Sequence, residues 1–508
     1  MEPLLLGVDI GTSGAKGVLV TAGGEIVAAA ERTHSVSMPR PGWVEHDAEH
    51  VWWGGFAEIL AQILRTSGAD PERIAGVGCS AIGPCLVPMD ASGHPLRPAI
   101  LYGVDSRASR QIEQMKSAMS PDEALAVAAN PITTQSLLPK AMWLRDEEPG
   151  VYSKAKLFLD AAGYLAFRLT GSPSLDLFTA TAGGLIDIRT LAKSPDMFHA
   201  ADVSPDLFPE PSWPTKLVGT VTKTAASLTG LKPGTPVTTG TCDAAAESVG
   251  AGTTEDGEVT LIYGTTAVVL ACLGKPASNP ALFGGPYCLP DRYVLAGATA
   301  AAGALTSWYR DNFGAQARSE AAKTNKNPYE VLYEMGRQVP AGSDSLVVLP
   351  YFGGARTPVN DEHARGVILG LTLRHTGAHI YRALLESVGY EIRHHLEEMT
   401  RSGAAPHVIR AVGGGTRNPL WTQCVSDITG LTQACVANPL GAPLGDAYLA
   451  AMAVGAVEGV GQLKQAWIRA DTVVTPDPAN KATYDRLYGV YREAYAATRN
   501  LSHTLACG

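Results

Sequence analysis

Apolar positions in the first thirty residues come in short blocks of strand length. Leu4–Ile10 is apolar except for Gly7 and Asp9, GVLV follows at 17–20, and EIVAAA occupies 25–30. Gly11-Thr12-Ser13-Gly14 and Ala22-Gly23-Gly24 separate the blocks. The pattern predicts strand, tight turn, strand, glycine turn, strand: a small antiparallel unit. A comparable unit recurs at 258–273, EVTLIYGTTAVVLACL, where Gly264-Thr265-Thr266 interrupts two β-branched runs. Two strand-Gly-Thr-(Ser/Thr)-strand units, each opening one half of the chain, suggest two similar domains facing one ligand. Between and after them the apolar spacing turns helical, at 47–64, at 155–169 with Gly171 as its C-cap, at 377–399 and at 441–455. Near the end Tyr484, Leu487, Tyr488, Tyr491 and Tyr495 recur at helical spacing, which predicts a packing face.

A chain of 508 residues is too long for one hydrophobic core. The segment GAGTTEDG at 250–257 is the best joint, dividing the chain into domains 1–250 and 251–508. Net charge of −9 and a pI near 5.8 exclude a basic nucleic-acid footprint. Eight cysteines without Cys-x-x-Cys spacing predict buried reduced thiols rather than disulfides or a zinc site. The opening MEPLLLGVDIG has no basic region and too short an apolar run for a signal peptide or membrane span, and the final LACG is no prenylation box. A cytoplasmic protein without membrane attachment is expected.

The two common phosphate-binding signatures, G-x-x-x-x-G-K-[ST] and G-x-G-x-x-G after a strand, are missing. Asp9-Ile10-Gly11-Thr12-Ser13-Gly14-Ala15-Lys16 offers another phosphate loop. An acid ending a buried strand is costly unless it meets a cation, most simply Mg²⁺. Small residues let backbone N–H groups approach phosphate oxygens, Thr12 and Ser13 add hydroxyls, and Lys16 adds positive charge. The bland alternative is a β-turn with Asp9 as its acid. Asp243, in TGTCDAAA at 239–246, is either a helix cap or a general base of the kind that phosphorylating an alcohol requires. Gly413-Gly414-Gly415 after VIRAV would let a flat ligand lie on the backbone, or is only a flexible turn. His375 and His379 lack the glutamate of a metalloprotease motif and are expected to be solvated near a helix start. His394-His395 is expected to be an exposed pair and Trp52-Trp53 to be core.

Together these segments resemble the FGGY carbohydrate kinases, and most of all their xylulokinase branch, over nearly the whole chain. The matching pieces are DIGTSGAKGVLV (9–20), GWVEHD (42–47), LRPAILYGVDSRA (96–108), TGTCDAAAESVGAG (239–252), LIYGTTAVVL (261–270), PYFGGARTPVNDEHARGVILGLTLRHT (350–376), YRALLESVGYEIR (381–393) and AVGGGTRNPLWTQCVSDITG (411–430). The stretch 356–371 resembles the family's second signature. The resemblance implies an α/β protein of two ribonuclease H-like domains, of the actin/hexokinase/heat-shock-chaperone superfamily, with ATP and sugar in a central cleft. It implies Asp243 as general base, and Asp9 with Asp243 at Mg²⁺. It also places Thr12, Ser13 and Lys16 at the phosphates from the first domain, and Gly264 and Thr265 from the second. Gly303, Gly414 and Asn418 would line the adenine nucleoside.

One departure bears on the sugar. Where xylulokinases carry Gln-Met-His, this chain has Ile82-Gly83-Pro84, and Tyr102-Gly103-Val104-Asp105 is one residue longer than the family's Trp-Asn-Asp. Gly83, Pro84, Tyr102, Asp105 and Arg107 are the candidates for the sugar side. The expected partners are a small sugar and ATP, with neither nucleic acid nor membrane, and a homodimer is compatible with the sequence. A chaperone-like ATPase would need a peptide-binding domain, for which no length remains after residue 500. A silent sugar sensor would be expected to have lost Asp243.

Overall fold

The computed structural model describes residues 2–436 and 440–506. It divides into two compact units. The first holds residues 1–255, 272–294 and 440–469, and the second holds 256–271, 295–439 and 470–508. Where the sequence pattern places one joint, the chain thus crosses from unit to unit more than once.

In the first unit Leu4–Ile10, Gly14–Thr21 and Ile26–Thr33 form the antiparallel meander expected from the apolar blocks. Leu4–Ile10 also pairs in parallel with Ile74–Ala81, which pairs in parallel with Pro236–Thr238 and Thr241–Cys242. Side chains alternate across a strand, so Gly7, Gly78 and Gly76 share one face of this sheet. That glycine floor admits the helix Ala442–Ala453 at backbone distance: a Cβ on Gly78 would lie 2.2 Å from the Asp446 carbonyl oxygen, and one on Gly7 1.9 Å from that of Pro443. On the other face Gly17 meets Ile59 and Ile63 of the helix Gly54–Ser67. Asp47 caps the helical turns leading into that helix, and Trp52 and Trp53 are core, as expected.

In the second unit Glu258–Tyr263 pairs antiparallel with Ala267–Leu273 and parallel with Val408–Val412, which continues to Thr432–Val436 and Ala470–Val474. Gly377–Arg401 is one long helix. The terminal helix Lys481–Ala506 buries Tyr484, Tyr488 and Tyr491. Their hydroxyls bond Glu386 at 2.9 Å, Glu397 at 2.7 Å and the Tyr351 hydroxyl at 2.9 Å. The tyrosine stripe is a packing face.

Two expectations need correction. The helix placed at 155–169 begins at Ala161, because Leu157–Leu159 pairs with Val87–Met89 and Asp160 caps the helix through the Gly163 N–H. The His394-His395 pair is buried, not exposed. His395 Nδ1 lies 2.8 Å from the Glu391 carbonyl, which only accepts, so Nδ1 carries the proton and Nε2 faces the Thr357 hydroxyl at 3.0 Å. Burial first of all lowers His395 to about 4. His375 and His379 do sit at the start of Gly377–Arg401, bonded to Thr372 and Thr376. The seven described cysteines are buried; Cys507 lies outside the described residues. Among those residues no helix is long and apolar enough to cross a membrane.

Candidate active site

In the first unit Asp9 lies in register between Lys16 on one neighbouring strand and Ser80 on the other, and Ser80 is in register with Thr241. Thr241–Cys242 leads directly into the helix Asp243–Gly250, so Asp243 is its first residue rather than its cap. The sheet therefore delivers both acids to one end of its strands. Asp243 Oδ1 takes the Ala244 N–H at 2.7 Å and the Cys242 thiol at 3.1 Å, which fixes the carboxyl plane. Burial, then the Asp243 and Glu247 carboxylates, push Asp9 well above the usual carboxylate range, while Ser80 and Lys16 oppose the shift. Asp243 is also raised, by burial, against the bonds from Cys242 and Ala244. One turn along the helix, burial and Asp243 push Glu247 up to about 7, with Lys16 opposing.

The turn at 11–14 is a tight hairpin closed by the Gly11 N–H on the Gly14 carbonyl at 2.8 Å. Ser13 and Lys16 are exposed, whereas Thr12 is half-buried and bonds the Tyr102 hydroxyl at 3.0 Å. Tyr102 thus belongs beside the loop. Gly83 and Pro84 are joined by a cis peptide, and the Gly83 carbonyl is 3.9 Å from Cys242 Sγ, next to Asp243. Asp105 and Arg107 are spent on each other. Arg107 donates to Asp105 at 2.7 Å and to Glu45 at 2.8 Å, lies 4.1 Å over Trp43, and both side chains are wholly buried.

Asp9 and Asp243 supply hard oxygen donors whose charged forms are disfavoured by burial and by each other, a conflict that a divalent cation relieves. Among the described residues no three His, Cys, Asp or Glu side chains are grouped to cage a metal. A cation here would draw its remaining ligands from water and substrate phosphates, the habit of Mg²⁺.

In the second unit Gly264-Thr265-Thr266 makes the corresponding hairpin. The helix Gly303–Asn312 starts on it: the Gly303 N–H bonds the Gly264 carbonyl at 3.0 Å, and the Ala302 and Ala304 N–H groups bond that of Thr265. A Cβ on Gly303 would sit 2.6 Å from the Gly264 oxygen, so only glycine fits. Gly264, Thr265 and Gly303 are thus brought together. Gly414 is exposed with open space where a side chain would be, leaving its backbone open to a ligand. Asn418 caps Pro419–Thr429 through the Leu420 and Trp421 N–H groups and donates to the Tyr381 hydroxyl at 3.1 Å.

The FGGY family of carbohydrate kinases matches residues 4–250 with its N-terminal domain and 259–454 with its C-terminal domain. The chain belongs to the FGGY family of carbohydrate kinases. It is 28% identical over 506 residues to the xylulose kinase of Bacillus subtilis (strain 168), covering 99% of this chain and 98% of the relative. The crystal structure of xylulose kinase from Rhodospirillum rubrum superposes with a TM-score of 0.91 at 32% identity, covering 98% of this chain and 100% of that one. The gluconokinase of Bacillus subtilis (strain 168) is 27% identical over 431 residues, 84% of this chain and 83% of its own. This FGGY kinase has the family's two-domain α/β fold.

Three residues beside the acids escaped the sequence reading. Glu247 follows Asp243 at helical i+4 spacing and was legible once Asp243 was placed on a helix. Ser80 ends an apolar strand and is a polar signal only when its neighbour is known. Asp446 is a lone acid in an alanine-rich helix two hundred residues on from Asp243. Ser80 Oγ lies 2.9 Å from Asp9 Oδ1 and 2.7 Å from Asp446 Oδ2. The other oxygen of Asp446 is buried with no hydrogen-bond partner among the described residues. Burial and the nearby Asp9 carboxylate push Asp446 well above the usual range, while Ser80 opposes the shift.

Proposed function

We propose that this FGGY kinase transfers the γ-phosphoryl group of ATP to a hydroxyl of a pentulose in the cytoplasm, with D-xylulose the first acceptor to test. The observation that carries the reading is Asp243: a carboxyl at the start of a helix, held by two donors on Oδ1 and raised by burial. Oδ2 then accepts the proton of the acceptor hydroxyl as its oxygen attacks phosphorus, and a raised base holds that proton better than a solvated one. Asp9 and Asp243 would hold Mg²⁺, which when bound neutralises charge on the phosphate oxygens. Thr12, Ser13, Lys16 and the backbone of the first hairpin bind phosphate oxygens, and Gly264 with Thr265 does so from the second unit. Gly303, Gly414 and Asn418 line the nucleoside, with Gly414 leaving backbone bare for a flat base. Tyr102, Gly83 and Pro84 flank the sugar. Asp105 and Arg107 shape that wall from behind, since their charges already neutralise each other.

A second reading, a different ketose or a polyol such as ribulose, erythritol or glycerol, is favoured by Ile82-Gly83-Pro84, which presents no polar side chain. The test is sugar-dependent ADP release by the purified protein with Mg-ATP over D-xylulose, D-ribulose, L-ribulose, L-xylulose, erythritol, glycerol and gluconate. A clear preference for a pentulose supports the proposal. Preference for a polyol or for gluconate would replace its acceptor, and no release with any of them would remove the catalytic reading.

A further inference from the structure

We propose that Asp446 is a positioning residue for Asp9, acting through the Ser80 hydroxyl. The inference rests on the reading of Asp9 as the Mg²⁺ carboxylate and deepens it.

The argument starts from proton counting. Ser80 is wholly buried, and its hydroxyl oxygen lies between Asp9 Oδ1 at 2.9 Å and Asp446 Oδ2 at 2.7 Å. A hydroxyl has one proton and donates to only one of them. Both contacts are hydrogen bonds only if one carboxyl donates to Ser80. Asp446 is the better donor: it is 1% exposed, its Oδ1 has no partner among the described residues, and a dry, unpartnered oxygen is far costlier on a carboxylate than on a neutral acid. Asp9 is partly exposed, faces Lys16 across the strand pair and keeps its charge more cheaply. The chain of bonds therefore runs from Asp446 to Ser80 to Asp9, each bond polarising the next.

The backbone makes this arrangement rigid. Asp446 sits on the helix that Gly7, Gly76 and Gly78 bring onto the sheet, and Gly445 brings the same helix against Asp243–Gly250: a Cβ on Gly445 would lie 1.9 Å from the Ala246 carbonyl oxygen. One helix thus braces both the strand end bearing Asp9 and the helix opened by Asp243. Hydrogen-bond partners behind a metal carboxylate hold its orientation, which is the role assigned here to Ser80 and Asp446.

The test reads metal binding rather than turnover. ADP is titrated calorimetrically into the full-length protein over a series of Mg²⁺ concentrations, giving the Mg²⁺ half-saturation of nucleotide binding. Asp446→Ala and Ser80→Ala are each expected to raise it about 10- to 100-fold. The double variant should be no worse than either single one, because both cut the same chain. Asp446→Asn keeps a donor of the same size and should recover most of the loss, to within about threefold of the parent. Additive effects of the two alanine changes, or an Asp446→Ala protein with native circular dichroism and unchanged half-saturation, overturn the proposal. Should Asp446→Ala not fold, Ser80→Ala decides alone: an unchanged half-saturation overturns the proposal, and a raised one that Asp446→Asn does not worsen supports it. Asp9→Asn separates the two readings. If it leaves the Mg²⁺ series unaltered, the metal assignment of Asp9 falls and the relay with it. If it shifts the series while Ser80→Ala does not, the relay alone falls.

Discussion

At the scale of single residues, the protein places acids where burial and mutual repulsion work against their charges. At Asp243 burial raises the carboxyl while two donors pin its Oδ1. Asp243→Asn preserves size and an oxygen to accept the Ala244 N–H but cannot take a proton. Turnover should fall by roughly 10² or more while ATP binding survives, as steady-state kinetics beside a nucleotide titration would show. His395 supplies a pH prediction of known sign. Burial lowers it from 6.5 to about 4, so the folded state stays neutral where the unfolded chain protonates. Its contribution to stability is complete above pH 6.5 and is lost as pH falls from there towards 4. His395→Gln should therefore flatten the fall in melting temperature between pH 7 and pH 5, measured by thermal unfolding across that range. A slope identical to the parent's would show that the ring titrates normally.

At the scale of elements, glycine decides how closely backbone meets backbone. The helix Ala442–Ala453 rests on two surfaces that a single Cβ would push away, and Gly445 and Gly7 mark its closest approaches. At Gly445 the atoms in the way belong to the Ala246 backbone and cannot swing aside. Gly445→Ala should destabilise the protein by about 3 kcal/mol and lower turnover by displacing the helix that braces both acids. Gly489, in the exposed middle of Lys481–Ala506, has nothing within 4 Å of where its Cβ would stand. Gly489→Ala should instead stabilise by roughly 0.5–1 kcal/mol, through helix propensity and a less disordered unfolded chain. Urea midpoints of the two variants, moving in opposite directions from the parent, are the measurement.

At the scale of the whole molecule, the question is which sugar the fold serves. Ile82 and Pro84 are buried, Gly83 has no side chain, and Asp105 and Arg107 neutralise each other. On the proposed placement, a sugar hydroxyl against that wall would find few partners, and an unpaired buried hydroxyl costs about 1–3 kcal/mol. D-xylulose is therefore expected to be used roughly ten-fold or more less efficiently than by kinases carrying Met-His at that place, read as kcat/KM across the acceptor panel. A maximum for D-xylulose at an efficiency equal to theirs would show that Tyr102, held against Thr12, restores the contacts. Much of this was legible along the chain. Alternating apolar blocks around Gly-Thr turns predicted both hairpins, and their local hydrogen bonds need only neighbours a few residues away. Helical spacing predicted the tyrosine face, because one buried stripe on a helix leaves a period of 3.6; the helices expected at 377–399 and 441–455 are Gly377–Arg401 and Ala442–Ala453, each buried over a long consecutive run. The start of Ala161–Thr170 was missed because Leu157–Leu159 is apolar in either conformation, and strand pairing with Val87–Met89 tipped it. His394 and His395 looked polar and therefore exposed, but their burial on a long helix, with Glu391 and Thr357 as the partners of His395, came from packing. The acid pair Asp9 and Asp243 could be named from residue type and local motif. What binds Asp446 to them, across more than four hundred residues from Asp9, is a run of glycines that lets one helix lie on a sheet. Sequence order carries no trace of such an approach, because close contact between distant backbones is settled only when the whole unit packs.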